Sequence, residues 1–281
     1  MRQRSPVVLI TGACGGMGRA CARRLGLDHQ LVLSDMNQGR LDELAHTLRD
    51  EGYSLAQSMA GDLSQPEIAE QLVAIAHGAG HLSGVVHTAG LSPALAPWHD
   101  ILLANVTATV RMVDALQARP LAGLAAVFIA SMAGHLTVGD AALDAILEQP
   151  FEPDFLERAQ QRLAAHVSPS DEYALASPAY AFSKRAMIRL CEQRATTWGL
   201  AGGRIVTISP GTIWTPMGRR EVDTNSAAAA VVKATPVGRW GTPQDIAAAV
   251  EFLLSSHAGF ISGCDLRIDG GATAMLLNQS N

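Results

Sequence analysis

Tyr180 and Lys184 lie four residues apart in the stretch SPAYAFSKRAM, Ser177 to Met187, just after a proline that suits a helix start. Residues so spaced stand one above the other on one helix face. An ammonium held near a phenol favours the phenolate and lowers the phenol's pKa. The pair is either a proton-transfer device or two ordinary helix residues, and by itself it does not decide which. A second candidate lies near the N-terminus, where TGACGGMGRAC sets Gly12, Gly16 and Gly18 in the pattern T-G-x-x-x-G-x-G. Glycines so placed let the backbone turn tightly and approach a pyrophosphate. The helix that follows presents its free N–H groups and positive dipole end to the phosphates.

Asp35 ends the run LVLSD, at the C-terminal end of what reads as the second strand. A carboxylate there accepts hydrogen bonds from both hydroxyls of an adenosine ribose and repels a 2′-phosphate. Neither Gly15 nor Met36 supplies a cation for that phosphate, so the charge pattern favours NAD over NADP. The bland alternative is a solvated aspartate at a strand end. His77 and His81 have a metal-like spacing, but no third ligand stands nearby and Gly78 and Gly80 interrupt the helix. No metal is expected. Cys14 lies in the glycine loop, where helix N-termini favour thiolates, and it reads as a small residue that fits.

These residues need strands and helices to position them. Strand candidates are 7–10, 31–34, 84–88, 126–130, 204–209 and 265–268, with a weaker run at 54–60. Runs that are apolar throughout suit strands covered on both faces, as in a parallel sheet. Helical patterns fall at 17–26, 39–50, 66–77, 100–118, 178–199 and 243–255. The alternation predicts one α/β domain, a doubly wound parallel sheet (Rossmann fold) with helices on both faces. Residues 136–176 break the rhythm. Asp154 there suits a helix N-cap, with Phe155, Ala159, Leu163 and Val167 following at i+4 spacing. Two short helices broken at Pro150 and Pro153 are expected, forming either a surface excursion or a lid or interface element.

The chain has 281 residues and a formal charge of −5, from 21 Lys and Arg against 26 Asp and Glu. No basic run appears, so nucleic acid is not expected as a partner. Cys14, Cys21, Cys191 and Cys264 lack paired spacing and read as reduced thiols of a cytoplasmic protein. The apolar run after the first arginines is too short for a signal peptide and reads as a strand. No apolar run approaches membrane-spanning length.

Taken together, the motifs resemble those of the short-chain dehydrogenase/reductase family almost end to end. The glycine loop is joined by Gly61-Asp62-Leu63, by HTAG at 87–90, by Asn105, by Ser131 in IASMAG, and by YAFSK with Tyr180 and Lys184. SPGTIWTPM at 209–217 matches the family's P-G-x-x-x-T segment. The resemblance implies an alcohol dehydrogenase or ketone reductase with Tyr180 as general acid/base. Lys184 would stabilise the phenolate and hold the nicotinamide ribose, Ser131 would hold the substrate oxygen, and Asn105 would position a relay water. The cofactor site it implies comprises Gly12, Cys14, Gly16, Met17, Gly18, Asp35, Asp62, Leu63, Thr88, Ala89, Gly90, Pro210, Gly211, Ile213 and Thr215, together with Tyr180 and Lys184.

His87 and Thr88 depart from the family's usual asparagines, and Thr207 stands where many relatives have asparagine. The gap between Ser131 and Tyr180 is long, and a similar insertion occurs in bacterial 3α-hydroxysteroid dehydrogenase/carbonyl reductases. An insertion before a helix that pairs across tetramers in this family implies a homodimer, with a homotetramer as the alternative. Residues 211–235, including AAAAVV at 227–232, fall where the family has a substrate lid. Ile213, Trp214, Met217, Leu91, Pro93 and Trp98 suggest an apolar pocket. The expected substrate is a bulky apolar secondary alcohol or ketone such as a hydroxysteroid. The alternatives are smaller aromatic or xenobiotic ketones, or a non-catalytic dinucleotide sensor.

Overall fold

A computed structural model describes residues 6–167 and 172–279. Seven parallel strands run in the order β3-β2-β1-β4-β5-β6-β7. They are β1 (Pro6–Thr11), β2 (Gln30–Asp35), β3 (Leu55–Ala60), β4 (His81–His87), β5 (Ala125–Ile129), β6 (Arg204–Pro210) and β7 (Asp265–Ile268). Alternate strand residues point to opposite faces, and both faces are apolar. Val7, Leu9, Val85, Ala126, Phe128 and Ile205 meet the helices Pro66–Ala79 and Ala108–Gln117 and the buried side of the long helix Ala176–Leu200. Val8, Ile10, Leu31, Leu33, Val127 and Ile208 meet the helices Gly16–Leu25, Gln38–Asp50 and Pro243–Leu254. The strand order reverses between β1 and β4. In such sheets the ligand crevice opens beyond the carboxyl ends of the strands at that point.

Three elements differ from the sequence reading. The expected helix 100–118 is split by a π-helical turn, Leu103–Thr107, between the helices Trp98–Leu102 and Ala108–Gln117. The long helix begins at Ala176, so Pro178 sits inside its first turn, where a missing N–H leaves no helical bond unmade. The helices Pro216–Thr224, Ser226–Ala234 and Ala272–Gln279 had no periodic signal strong enough to mark them.

The segment 136–176 carries the helices Ala141–Leu147 and Phe155–Leu163, and residues 168–171 of it lie outside the described residues. Phe155, Ala159 and Leu163 are buried with Leu143, Leu147 and Phe182 in a separate small core against the long helix. Asp154 stands at the N-cap of its helix but makes no capping bond. Asp140 instead caps Ala141–Leu147, accepting from Ala142 N and Leu143 N at 3.1 Å each. Two ion-pair groups fasten the insertion. Arg162 and His166 reach Asp140 at 2.6 and 2.9 Å, and Arg185 and Arg189 of the long helix reach Asp144 at 3.2 and 3.7 Å.

Candidate active site

The glycine loop leaves β1 at Gly12, whose φ of 64° is a left-handed conformation open to glycine at no steric cost. A Cβ there would lie 2.6 Å from Ala89 N, so the segment after β4 runs directly over the loop. A Cβ at Gly16 would meet the Thr215 methyl at 2.6 Å, and one at Gly18 would strike the Gly12 carbonyl. The loop is therefore close-packed by the Thr88–Ala89 backbone, by its own backbone and by the Thr215 side chain. Thr88 Oγ1 donates to the carbonyls of Thr11 (2.8 Å) and Gly12 (3.1 Å). Gly211 N donates to Ile268 O at 3.0 Å beyond Pro210, and Thr215 caps its helix by accepting from Gly218 N at 3.0 Å. Met17 borders the cavity beside Ile213. Leu63 is buried, and Asp62 accepts from Ser64 N at 2.9 Å in the turn after β3.

Asp35 lies at the end of β2 and accepts from Cys14 N at 2.9 Å and Asn37 N at 3.3 Å. Burial, reinforced by the Asp35 charge, pushes the Cys14 thiol up to about 11, so it is no reactive thiolate. Two arginines missed by the sequence reading converge here. Arg19 and Arg40 donate to the Cys14 carbonyl at 3.1 and 3.0 Å. Arg40 stands three residues into its helix after the Asn37 cap, a spacing that could have flagged it.

At the opposite end of the crevice, Ser131 follows β5, and Tyr180 and Lys184 face it from the long helix. Burial pushes the Tyr180 phenol up to about 12, against the pull of a hydrogen bond with Ser131. The expected lowering by Lys184 is not what the geometry gives. Its ammonium is buried, donates to Ile129 O at 2.8 Å, and stands 5.8 Å from the centre of the Tyr180 ring. Burial moves the lysine itself down to about 8. Desolvation dominates both residues, raising the phenol and lowering the ammonium.

Asn105 lies in the π-helical turn and is fully buried. Its Oδ1 accepts from Leu91 N at 2.8 Å, and its Nδ2 donates to Leu91 O and Ser183 Oγ, both at 3.0 Å. Both amide hydrogens therefore hold protein, which differs from the water-positioning role expected of it. Its backbone carbonyl accepts from Thr109 Oγ1 at 2.7 Å. His87 spans Thr11 Oγ1 (2.8 Å) and Thr109 Oγ1 (3.2 Å). Because the Thr109 hydroxyl hydrogen goes to Asn105 O, His87 Nε2 carries the ring proton and Nδ1 accepts from Thr11. Burial, aided by Lys184, holds this imidazole down to about 3, so it is neutral.

Ser131, Tyr180, Met17, Pro210, Gly211, Ile213 and Thr215 line one cavity of about 1200 Å³. Pro93, Leu95, Pro97 and Trp98 form one wall, Ser131 and Tyr180 the floor, and Met217, Glu221 and Thr224 the side toward Pro216–Thr224. A hydroxyl and a phenol facing an open cleft can hold a carbonyl or alcohol oxygen and exchange a proton with it. Leu91 and Trp214 are not among the cavity residues, and Trp214 stacks edge-on against Trp240 at 4.8 Å. Among the described residues, no group of three or more His, Cys, Asp or Glu is placed to hold a metal, and no helix is long and apolar enough to cross a membrane.

Comparison with known proteins agrees with this arrangement. A family profile described as short chain dehydrogenase matches residues 6–142, and one described as Enoyl-(Acyl carrier protein) reductase matches 163–273. The chain is 30% identical to the short-chain dehydrogenase/reductase bsc3 of Alternaria brassicicola, with 98% of each chain covered. It is 28% identical to a 3-alpha-hydroxysteroid dehydrogenase/carbonyl reductase of Comamonas testosteroni, over 96% of this chain and 97% of that one. In fold it is similar to the crystal structure of a gluconate 5-dehydrogenase from Burkholderia cenocepacia J2315 in complex with NADP and tartrate. That match has a TM-score of 0.74 at 23% identity, covering 97% of both chains.

Proposed function

The chain belongs to the short-chain dehydrogenase/reductase family of oxidoreductases, and from that premise we propose that it interconverts a secondary alcohol and a ketone using NAD. The favoured substrate is bulky and mainly apolar, a hydroxysteroid being one example. The observation that carries this reading is the meeting of Ser131 and Tyr180 on one cavity that Met17 of the glycine loop also lines, with the Lys184 ammonium 5.8 Å from the centre of the Tyr180 ring.

The residues present fit a dinucleotide, because the glycine loop leads from β1 into the N-terminus of the helix Gly16–Leu25, which has no side-chain cap and leaves its N–H groups for a pyrophosphate. When bound, the dinucleotide supplies the carbon that gives or takes the hydride and, oxidised, a positive charge. Ser131 donates a hydrogen bond to the substrate oxygen. Tyr180, neutral at rest, donates its proton during ketone reduction, and its phenolate accepts one during alcohol oxidation. Lys184 contributes a buried positive charge that favours the phenolate once protonated, and a donor for the nicotinamide ribose. Asn105 acts as a positioning residue, locking the Leu91 backbone to the long helix through Ser183. Asp35 supports NAD over NADP, with Arg19 and Arg40 as the counterweight. The cavity's size and its Pro93–Trp98 wall support a bulky substrate over small ketones.

The enzyme acts as a cytoplasmic homodimer in this reading, because the insertion covers part of the long helix. A tetrameric mass by light scattering would rule that out. The activity is tested by following reduced nicotinamide absorbance over a panel of steroid, aromatic and aliphatic secondary alcohols, with NAD and NADP in parallel. Turnover with NAD on the bulky alcohols is expected. Dinucleotide binding without turnover on any alcohol would favour the non-catalytic sensor.

A further inference from the structure

Glu221 has no role in the chemistry described so far. It lies in the helix Pro216–Thr224 and lines the same cavity as Ser131 and Tyr180. Among the described residues its carboxyl forms no ion pair and accepts no hydrogen bond. Of its two arginine neighbours in the helix, one is engaged with an aromatic ring and the other is exposed. Arg219 stacks over the Trp214 ring at 5.4 Å, and Arg220, adjacent in the helix, projects to the exposed rim of the cavity. Burial raises the Glu221 carboxyl, and its charge in turn helps raise the Tyr180 phenol.

A half-buried carboxylate without a partner costs free energy in the empty protein. A ligand group that donates to it recovers that cost, whereas an apolar group in its place leaves it unrecovered. The wall facing it is apolar, built from Pro93, Leu95, Pro97 and Trp98, so the cavity is amphiphilic. Hydrophobic walls discriminate weakly between an isostere with a hydroxyl and one without. A site with a partly buried polar group that a ligand donor completes discriminates more strongly.

We infer that Glu221 sets substrate specificity by accepting a hydrogen bond from a donor group, hydroxyl or ammonium, carried on an otherwise apolar substrate away from its reacting carbon. This rests on the proposed alcohol–ketone chemistry and narrows it. The substrate is an apolar body with one reacting oxygen and one distal donor.

The test uses three probes of similar size: cyclohexane-1,4-diol, 4-aminocyclohexanol and 4-methylcyclohexanol. Oxidation by the wild type with NAD should favour at least one donor-bearing probe over the methyl probe by about tenfold or more in kcat/KM, chiefly through KM. Glu221→Leu should abolish or reverse that preference. Glu221→Gln keeps the shape and a carbonyl acceptor, so it should keep a preference for the diol and lose one for the ammonium, which tells the two donors apart. Equal selectivity ratios in wild type and Glu221→Leu, or a wild type that prefers the methyl probe, would overturn the inference. If no probe is oxidised, the same ratios are read from quenching of tryptophan fluorescence, with NAD present. Donor-selective binding lost in Glu221→Leu then upholds the Glu221 site while the oxidoreductase reading fails, and binding without selectivity overturns the site.

Discussion

The glycine loop and the helix Pro216–Thr224 shape their parts of the cleft in different ways. At the dinucleotide end the shape is made mainly by backbone, with the Thr215 side chain against Gly16. Gly12, Gly16 and Gly18 leave no room for side chains, and the segments at 88–90 and 213–215 press against them. At the substrate end the shape is made by side chains on short helices, with Met217, Glu221 and Thr224 opposite Pro93–Trp98. A backbone cradle accepts one kind of ligand and tolerates little change. A side-chain wall can be rebuilt residue by residue, which is how one fold serves many substrates.

If the division holds, substitutions on the floor should act on rate, those in the cradle on dinucleotide affinity, and those in the insertion on stability alone. The largest effect is expected for Tyr180→Phe, a loss of about 10³-fold in kcat with dinucleotide binding unchanged by fluorescence titration. Near-normal turnover would remove Tyr180 from the chemistry. Gly12→Val should weaken dinucleotide binding by about 100-fold or more, since its Cβ would collide with Ala89 N. Unchanged affinity would show that the cradle yields.

Asp35→Ser should raise the NADP-to-NAD ratio of kcat/KM by about tenfold or more, since it removes a repelling charge and leaves Arg19 and Arg40 in place. An unaltered ratio would remove Asp35 as the selector. A smaller effect concerns pH. The phenol begins up to about 12, so alcohol oxidation should rise with pH as the phenolate forms, and ketone reduction should fall over the same limb. Burial brings Lys184 down to about 8, so it loses its charge before the phenol titrates, and Lys184→Met should move the lower end of that limb, below about pH 8, and leave its upper end in place. A fixed limb would confine Lys184 to binding.

The smallest effect is expected in the insertion. Burial opposes the charge of Asp140, but hydrogen bonds from Arg162 and His166 outweigh it and hold the carboxyl below the usual range. Its contribution is complete above the unfolded aspartate pKa of about 4 and is lost as pH falls through the folded value. Asp140→Asn should therefore lower stability by about 1–3 kcal/mol at pH 7. The gap from wild type should close below about pH 4 in thermal melts. A change in KM without a change in melting temperature would mean that the insertion shapes the substrate site.

Much of this was legible in the chain. Strands β1, β2, β4, β5 and β6 lie within a few residues of their apolar runs because a strand covered on both faces needs such a run, whereas β3 and β7 at the sheet edges are only partly buried. The glycine loop was legible because its requirements are local. The π-helical turn at Leu103–Thr107 was not, because 100–118 has an ordinary helical period and the turn is held by distant partners of Asn105. The pairing of Arg19 and Arg40 on Cys14 O escaped for a similar reason, since it depends on where two helices dock.

The sequence by itself determined the sheet, the cradle and the identity of the groups that could exchange a proton, because period and spacing act through near neighbours. Only the tertiary structure decided the state of those groups. Lys184 reaches the Ile129 carbonyl 55 positions away, Asn105 grips Ser183 78 positions away, and Glu221 comes to line the same cavity as Tyr180 without a partner among the described residues. Four-residue spacing alone places an ammonium where it could lower the phenol's pKa. Burial raises that pKa instead, and burial is a property that spacing does not encode.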